Sequence, residues 1–344
     1  MKFGIVGSGR IAGRFASEIQ FVEGAELTHV YNPHTESAEA FAGNHGLTAA
    51  ASLDTLFSAV DAVYIATPHA THYEYARAAL SAGKHVLCEK PLTLSAAQAE
   101  DLFACADEKG LCLMEAVKTE FCPGYRALLE TARSGIIGKI VGVEAAFSRL
   151  TPPGGREYTD TAAGGSFTEF GTYCLLPIAD LLGTDFSDVC FSAIPAETGV
   201  DAFTKVDLAF GESENLSFYS DPGNLAWNGK LTCREIAAFA SIKTGLSVKT
   251  EGQLLISGTE GYILVPSPWW LTKAFDVRFE NPKKVIHREY AFEGDGLRYE
   301  IAEFVRRAED PSGSGQKTAE RERAVAWGRL AEFFLRDRKA NFDG

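Results

Sequence analysis

Residues 4–13 read GIVGSGRIAG, a glycine-rich turn between two regular elements. The apolar run Lys2–Val6 is typical of a short strand, and the apolar residues of Ile11–Phe21 have helical spacing. Gly7 permits a tight turn, and Gly9 lets backbone N–H groups approach a pyrophosphate at the N-terminus of the helix. Such turns also occur without a ligand, but the position of this one between a strand and a helix predicts a dinucleotide site.

A second segment, CEKPL at residues 88–92, places Lys90 at the carboxyl end of a predicted strand, where open α/β sheets bind ligands. Pro91 disfavours helical geometry at Lys90. Glu169 and Tyr173 are four residues apart, so they share one face of a short predicted helix. A phenol with a pKa of about 10 can exchange a proton with an alcohol, and a close lysine would lower that pKa by roughly 1–3 units. These residues could therefore serve a nicotinamide reaction on an alcohol, although a solvated lysine and a buried structural tyrosine would show the same pattern.

The first 120 residues alternate strands with helices, which is typical of a doubly wound parallel sheet covered on both faces. Ser95 followed by Gln98 predicts a capping box at the start of one helix, and Gly110 is expected to end that helix. The other predicted strands are Leu27–Tyr31, Ala62–Ala66, His85–Cys88 and Leu111–Glu115, and the other predicted helices are Glu36–Asn44, His72–Ala82 and Ser95–Lys109.

After Gly138 strands dominate, which predicts one large antiparallel sheet. We therefore expect an α/β fold with a dinucleotide-binding domain at residues 1–120 and an α+β substrate domain at residues 121–344, connected by a helix at Pro123–Ser134. A small substrate should lie in the cleft between them. The predicted strands are Val141–Phe147, Val189–Ala193, Val206–Phe210, Leu216–Ser220, Ile236–Ile242, Gln253–Ser257, Tyr262–Val265, Ala274–Phe279 and Val285–Tyr290, with helices at Gly171–Leu182, Gly296–Ala308 and Lys317–Asp337 and a loop at Pro311–Gly315.

The composition excludes several classes of function. The chain of 344 residues has a net charge of −13 and no basic stripe, which argues against nucleic acid as a partner. No run supplies the ~20 apolar residues of a membrane helix, and a strand starting directly after Met1 leaves no room for a signal peptide. Seven cysteines without CxxC spacing are expected as reduced thiols, with Cys88 buried in a strand, and no set of metal ligands is recognisable. We expect a cytoplasmic protein without a metal, in which Arg321–Arg323 and Arg336–Lys339 lie on the solvated face of a terminal helix.

The chain resembles the glucose–fructose oxidoreductase/inositol dehydrogenase/rhizopine-catabolism (Gfo/Idh/MocA) superfamily over nearly its whole length. Within it, the chain looks most like the dihydrodiol dehydrogenase and D-xylose dehydrogenase branch, which has a tyrosine where inositol dehydrogenases have a catalytic histidine. The segments that carry the resemblance are GIVGSGRIA, ATPHATH at 66–72, AGKHVLCEKPL at 82–92, LMEAVKTEFCP at 113–123, AGGSFTEFGTYC at 163–174 and GTEGYILVPSPWW at 258–270.

The resemblance implies an NAD(P)-dependent oxidoreductase that transfers hydride between nicotinamide and a carbinol carbon of a sugar, cyclic polyol or diol. It implies that Lys90 and Tyr173 are the catalytic pair, that His69 and His72 border the nicotinamide or substrate, and that the protein forms a homodimer or higher homo-oligomer through the second sheet. The expected cofactor contacts are Gly7, Ser8, Gly9, Arg10, Ile11, Asn32, His34, Thr67, Pro68, His72, Glu89 and Lys90, and the expected substrate contacts are His69, Lys118, Glu169 and Tyr173.

Three positions depart from the family pattern. Glu169 stands where the family usually has an aspartate, and Lys118 stands where dihydrodiol dehydrogenases have an aromatic residue. A lysine suits a polar or anionic sugar better than an aromatic diol, although a solvent-facing lysine fits equally well. Residues 31–34 read YNPH, without the acid by which NAD enzymes hold the ribose hydroxyls. Asn32 can bind a ribose hydroxyl or a phosphate, and protonated His34 could pair with a 2′-phosphate, so NADP is slightly favoured over NAD.

Two other functions stay open. One is a non-catalytic regulator that senses a dinucleotide or a sugar, although such regulators tend to lose the lysine that this chain keeps as Lys90. The other is an NAD-recycling glycosidase of the same superfamily. Trp269 and Trp270 could stack on a sugar ring or form a pair of core or interface aromatics.

Overall fold

The computed structural model describes residues 1–211, 217–218, 232–233, 236–310 and 314–342. Two main sheets organise these residues, a parallel one in the first third of the chain and a larger one after residue 139. No helix within these ranges is both long and apolar enough to cross a bilayer.

The first sheet is parallel, with the strand order β3-β2-β1-β4-β5-β6. This is the doubly wound order in which ligands bind at the carboxyl ends of β1 and β4, where the chain changes direction across the sheet. The strands are β1 (Lys2–Val6), β2 (Glu26–Tyr31), β3 (Thr48–Ala49), β4 (Ala62–Ile65), β5 (His85–Glu89) and β6 (Leu113–Ala116), and the helices are α1 (Arg10–Glu18), α2 (Thr35–His45), α3 (Leu53–Ala59), α4 (His72–Ser81) and α5 (Ala96–Lys109).

The predicted elements of this region are confirmed, with small shifts at their ends. The short elements β3 and α3 were not predicted. The capping box at Ser95 is wrong, because the Ser95 side chain makes no capping hydrogen bond and its carbonyl accepts one from Thr93 Oγ1 at 2.7 Å instead. Gly110 ends α5 in the left-handed conformation, as predicted, with φ at 64°. Cys88 is fully buried in β5.

The second sheet has eight strands in the order β16-β15-β14-β13-β7-β12-β9-β8, and all neighbours are antiparallel except β7 and β12. The prediction of one large antiparallel sheet is therefore confirmed apart from this parallel pair. Of the predicted strand Leu216–Ser220, residues 217–218 are described, and they pair with 232–233 outside the large sheet. The strands are β7 (Ile140–Ser148), β8 (Phe186–Pro195), β9 (Asp201–Phe210), β10 (Ser217–Phe218), β11 (Thr232–Cys233), β12 (Ala238–Gly245), β13 (Leu254–Gly258), β14 (Tyr262–Val265), β15 (Ala274–Arg278) and β16 (Val285–Glu289).

The helices of this region are α6 (Pro123–Arg133), α7 (Arg156–Thr159), α8 (Ser166–Leu182), α9 (Leu297–Glu309) and α10 (Ser314–Phe342). Helix α8 begins five residues before the predicted Gly171–Leu182, so it carries the whole SFTEFGTY segment. The predicted loop Pro311–Gly315 lies partly outside the described residues, and its last two residues belong to α10.

The start of α8 is held by a carboxylate from another element. Asp201, at the start of β9, accepts hydrogen bonds from Phe167 N and Ser166 Oγ, both at 2.8 Å. Because the first N–H groups of a helix have no partner within it, Asp201 acts as a remote N-cap. A Cβ at Gly165, where φ is +115°, would lie 2.0 Å from Asp201 Oδ1, so this approach requires glycine.

The terminal helix α10 packs on both α5 and α8 and thereby joins the two regions. A Cβ at Gly328 would lie 2.4 Å from Ala96 N, and the buried Trp327 ring lies 4.8 Å from the Phe167 ring on α8. The expectation of a fully solvated charged face is wrong for two arginines. Arg323 and Arg338 are buried, because each one pairs with carboxylates of neighbouring elements.

Arg338 contacts the segment that leads into α8. Its Nη1 donates to Gly164 O at 2.7 Å and to Asp201 Oδ1 at 3.0 Å, and its Nη2 donates to Thr161 O at 2.8 Å. Asp201 is fully buried and Arg338 is 4% exposed. Helix α10 and strand β9 therefore both fix the position at which α8 begins.

Candidate active site

A cavity of about 1100 Å³ lies between the carboxyl edge of the parallel sheet and the second sheet. Its walls come from the glycine turn, the ends of β2 and β4–β6, the end of β7, the first turns of α8 and the segment before β15. All the residues expected to bind cofactor or substrate line it; they are Gly7, Ser8, Gly9, Arg10, Ile11, Asn32, His34, Thr67, Pro68, His69, His72, Glu89, Lys90, Lys118, Glu169 and Tyr173.

The glycine turn has the geometry of an anion cradle. At Gly7, where φ is +106°, a Cβ would lie 2.4 Å from Ala66 O, so no larger residue fits there. Gly9 is the N-cap of α1 and supplies no side-chain cap, and a Cβ there would meet nothing within 4 Å. The first N–H groups of α1 therefore face open space beside the cavity, which suits a pyrophosphate.

The end of β2 is connected to the same turn. Asn32 Nδ2 donates to Ser8 Oγ at 2.8 Å, and Asn32 Oδ1 accepts from His34 N at 2.9 Å. His34 and Arg10 line the cavity at this end, and the YNPH segment offers no carboxylate to repel a phosphate. The residues present therefore fit a dinucleotide, with or without a phosphate on its ribose.

The structure brings Lys90 and Tyr173 together across the cavity. Lys90 follows β5 and is 9% exposed, and its Nζ lies 5.6 Å from the centre of the Tyr173 ring on α8. The ammonium donates to the main-chain oxygen of Glu169 at 2.9 Å, and it lies 3.7 Å from Oε1 of the same residue. The first turn of α8 thus holds the lysine beside the tyrosine.

Glu169 is the centre of a cluster of positive and polar groups. Arg156 Nη2 lies 3.3 Å from its Oε2, and His69 Nε2 lies 3.6 Å from the same oxygen. Burial, followed by the positive charge of Lys90, lowers the pKa of His69 well below its usual value. At neutral pH the imidazole is therefore uncharged, and the carboxylate of Glu169 is balanced by Lys90 and Arg156.

The pKa of the Tyr173 phenol moves in the direction opposite to the one expected. Burial, and then the negative charges of Glu89, Glu300 and Glu169, raise it well above the usual value of a tyrosine. The expectation of a lowered phenol pKa is therefore wrong, because burial and the neighbouring carboxyl groups outweigh the nearby ammonium of Lys90. At neutral pH Tyr173 is therefore a protonated phenol and can donate a proton to a nascent alkoxide.

His72 and Glu89, which were expected to contact the cofactor, already bond to other groups of the protein. The ring nitrogens of His72 lie 2.8 Å from Pro91 O and 2.9 Å from Thr67 O, and burial lowers the pKa of His72 to about 4. The neutral imidazole has one N–H, so it donates to one of these two oxygens at a time, and it lies fully buried between the loop after β4 and the loop that carries Lys90. Glu89 Oε1 accepts a hydrogen bond from the hydroxyl of Tyr64 on β4 at 2.5 Å, so the position of this carboxyl group is also fixed by the protein.

Lys118 reaches the cavity from the turn after β6, where its Nζ donates to Asp295 O at 2.6 Å. The two tryptophans have different surroundings. Trp269 is a core residue whose Nε1 donates to Ala146 O at 2.9 Å. Trp270 lines the cavity and stacks on Phe147 at 3.6 Å between ring centres.

The sequence did not point to several residues of this site. Glu300, on α9, is 1% exposed and lines the cavity, and its Oε2 has no hydrogen-bond partner among the described residues. Burial raises the pKa of Glu300 well above its usual value. Arg149, Arg156 and Lys249 also line the cavity from the second region. Arg149 and Lys249 lie in loops after strands and Arg156 begins the short helix α7, so no periodicity marks them.

The described residues contain no group of three His, Cys, Asp or Glu side chains placed to bind a metal ion. Six cysteines are free thiols: Cys88, Cys105, Cys112, Cys122, Cys174 and Cys190.

Residues 1–117 match the Gfo/Idh/MocA model, described as an oxidoreductase family with an NAD-binding Rossmann fold. The chain is 30% identical to rabbit (Oryctolagus cuniculus) trans-1,2-dihydrobenzene-1,2-diol dehydrogenase over 318 residues, which are 88% of each chain. It is 31% identical to the Bacillus subtilis scyllo-inositol 2-dehydrogenase (NADP(+)) IolU over 231 residues, which are 64% of this chain and 70% of that protein.

A similar fold occurs in the 3-ketoreductase KijD10 from Actinomadura kijaniata, solved in complex with NADP and TDP-benzene. That structure has a TM-score of 0.79 and covers 96% of both chains, at 22% sequence identity. The likeness extends over both the parallel sheet and the larger sheet.

Proposed function

This chain belongs to the Gfo/Idh/MocA family of NAD(P)-dependent oxidoreductases, in its dihydrodiol dehydrogenase-like branch, and on that premise we propose that Tyr173 and Lys90 are its catalytic pair. The proposed substrate is a sugar or cyclic polyol, oxidised or reduced at one carbinol carbon. The observation that carries the proposal is the meeting of Lys90 and Tyr173 beside the glycine turn, with the ammonium 5.6 Å from the ring centre.

The nicotinamide, when bound, supplies hydride to or accepts it from the carbinol carbon. We propose that the N–H groups at the start of α1 hold the pyrophosphate, as the open space at Gly9 supports. Of the two cofactors we propose NADP, because Asn32, His34 and Arg10 surround the end of β2 without a carboxylate. Tighter binding of NADPH than of NADH, measured by fluorescence titration, is the expected result, and the reverse order would contradict this preference.

The role of Tyr173 is proton transfer at its phenolic oxygen. In the direction of reduction the phenol donates its proton to the oxygen of the forming alcohol, and in oxidation its ionised form takes that proton back. Lys90 places a positive charge beside the phenol and stabilises negative charge on either oxygen. Its hydrogen bond to the Glu169 carbonyl orients the ammonium before substrate arrives.

Several polar groups around the pair suit a polyhydroxylated substrate. Glu169 and the uncharged His69 offer hydrogen-bond acceptors and a donor next to the reacting site, and Trp270 offers a flat apolar surface. A polyol with both polar edges and C–H faces matches such a mixture. Among the relatives, the scyllo-inositol 2-dehydrogenase is named for a cyclic polyol, which agrees with this class.

We further propose a boundary near residue 120, with a cofactor domain at 1–120 and a substrate and dimerisation domain at 121–344. The last strand of the parallel sheet ends at Ala116 and the first strand of the larger sheet starts at Ile140, which supports this division.

We also propose a homodimer through the open face of the larger sheet. It is supported by Phe239 on β12, which is 39% exposed and covers Gly142. The acidic net charge fits the cytoplasm, where we place the protein.

The proposal is tested with a panel of aldoses, polyols and diols, scored by the absorbance of reduced nicotinamide with each cofactor. On a substrate from the panel, Tyr173→Phe should lower kcat by about 10²- to 10⁴-fold and leave the Kd for NADPH unchanged. Tyr290→Phe is the matched control, since Tyr290 is also half-buried but stacks on Phe275 away from the cavity. Full turnover by Tyr173→Phe would remove the assigned role, and the absence of any dinucleotide binding would remove the function.

A further inference from the structure

The cavity differs in charge from the rest of the protein. The chain has 33 basic and 46 acidic residues, whereas seven Lys and Arg but four Glu side chains line the cavity. Arg10 and Arg14 belong to the glycine-turn end, where a dinucleotide phosphate would lie. The other basic residues therefore surround the part of the cavity left for substrate.

Two of these residues lie together at the end of β7. Lys249 Nζ donates to Thr250 O at 3.0 Å and to Ser148 O at 3.3 Å, and no carboxylate oxygen of a described residue lies within 4 Å of it. Arg149 follows Ser148, the last residue of β7. Its Nη2 lies 3.2 Å from Glu157 Oε1, and its side chain is 42% exposed. Lys249 is thus held by neutral oxygens, and its charge has no acidic partner in the described structure.

An aromatic wall connects these cations to the proposed reacting site. The Phe147 ring lies 5.3 Å from the Tyr173 ring, 3.6 Å from the Trp270 ring and 4.5 Å from the Phe170 ring. The Arg149 guanidinium lies 5.6 Å from the centre of the Phe170 ring. Tyr173, Trp270, Arg149 and Lys249 all line the same cavity, so a ring compound bound there can face both the phenol and the two cations.

We propose that the part of the cavity lined by Lys249 and Arg149 is an anion subsite and that the substrate is an acidic sugar. Its carboxylate or phosphate, on a carbon remote from the reacting one, binds Lys249 and Arg149 while the ring lies against Trp270. The inference rests on the proposed function and specifies its substrate class. A planar guanidinium and an ammonium with no acidic partner suit either anion, because both anions present several acceptor oxygens.

Two series of sugars distinguish binding of a carboxylate from binding of a phosphate. In the gluco series the probes are glucose, glucuronate and glucose 6-phosphate, and in the galacto series they are galactose, galacturonate and galactose 6-phosphate. Binding to the NADP-loaded protein is measured by calorimetry and by quenching of tryptophan fluorescence. At least one acidic sugar should bind about 10- to 100-fold tighter than its neutral counterpart, and this advantage should shrink as salt is added. The acid that binds tighter identifies a carboxylate or a phosphate subsite.

Substitutions assign the effect to the two cations. Lys249→Met and Arg149→Met should each weaken binding of the preferred acid by about tenfold or more, and by a larger factor than they weaken binding of the neutral sugar. Lys139→Met is the matched control, because this exposed lysine precedes β7 at the opposite end of the strand and does not line the cavity. Unchanged thermal unfolding in all three variants keeps the comparison free of folding defects.

Several outcomes would overturn the subsite. These are equal or tighter binding of the neutral sugars, no binding of any acidic probe, and a loss in Lys249→Met that Lys139→Met reproduces. Failure of the subsite and failure of the proposed function are distinguishable. Turnover of neutral sugars alone, unaffected by Lys249→Met, would leave the function and remove the subsite. Tight binding of an acidic sugar without any reaction of the nicotinamide would leave the subsite and remove the function.

Discussion

Replacing Arg338 by methionine should destabilise the protein by about 3 kcal/mol. The substitution keeps an apolar stem of similar length but removes three donated hydrogen bonds, of 2.7, 3.0 and 2.8 Å. It leaves the carboxylate of Asp201 fully buried without its charged partner. Breaking a buried pair by removing one member costs about 3–5 kcal/mol. We take the lower limit because Asp201 keeps donors from Ser166, Phe167 N and Thr204, each at 2.8 Å.

The assay is urea unfolding followed by far-UV circular dichroism and by tryptophan fluorescence, since the buried Trp327 lies between α10 and α8. With a slope of about 3 kcal/mol per M, at the upper end of the usual range, the midpoint should fall by roughly 1 M. Arg336→Met is the matched control, because Arg336 lies on the same helix and is exposed. Its substitution should change stability by less than about 0.5 kcal/mol.

A double substitution tests the cause of the loss. Asp201→Asn removes the charge left uncompensated in Arg338→Met, so the combined variant should lose less than the sum of the two single losses. If Arg338→Met costs less than about 1 kcal/mol, or no more than Arg336→Met, the buried ion pair does not fix the start of α8. Strictly additive losses would show that the two residues act independently.

Three further outcomes are expected. Gly7→Ala should destabilise the fold by about 3 kcal/mol, because a Cβ at this positive-φ position would lie 2.4 Å from a carbonyl oxygen. Gly9→Val should change stability by less than about 1 kcal/mol, because a Cβ there meets nothing within 4 Å. The same substitution should weaken NADPH binding at least tenfold in a fluorescence titration. Burial raises the pKa of Glu320 from 4.5 to about 7. The protonated carboxyl therefore contributes to stability fully below pH 4.5, and this contribution is lost as pH rises through 7. In Glu320→Gln, the decrease in unfolding free energy between pH 5 and 8 should be smaller than in the original protein, by at most about 3 kcal/mol. Glu300→Gln removes a carboxyl group that raises the pKa of Tyr173 once it is ionised at alkaline pH, so the alkaline limb of the pH profile of oxidation should move to lower pH. An unchanged profile would contradict that electrostatic role.

Much of the fold follows from the sequence because its signals are local. The alternation of apolar strands with helices in the first 116 residues sets a parallel sheet, and the glycine turn marks where it binds a ligand. Helix α8 was predicted too short, since its first turn is fixed by Asp201, which is 35 residues from Ser166 along the chain. A cap supplied from so far away leaves no mark in the local sequence.

The electrostatics of the site were less accessible. The positions of Lys90 and Tyr173 were predictable from a strand end and from family resemblance, but the direction of the phenol pKa was not. That direction depends first on burial and then on Glu89 and Glu300, two buried residues that approach from two other elements. The burial of Arg338 was missed for the same reason, because charge periodicity along a helix does not reveal which carboxylates face it.

The hydrogen bond from Lys90 to residue 169 is accepted by the main-chain oxygen. The backbone of residue 169 therefore positions the lysine, while its side chain remains available for other contacts. Every residue type presents the same carbonyl at that point of the helix, so exchanging glutamate for aspartate leaves the lysine anchored. The side chain at 169 is then free to change its length and partners as new substrates are adopted. Such an arrangement permits substrate preference to change during evolution while the position of the lysine stays the same.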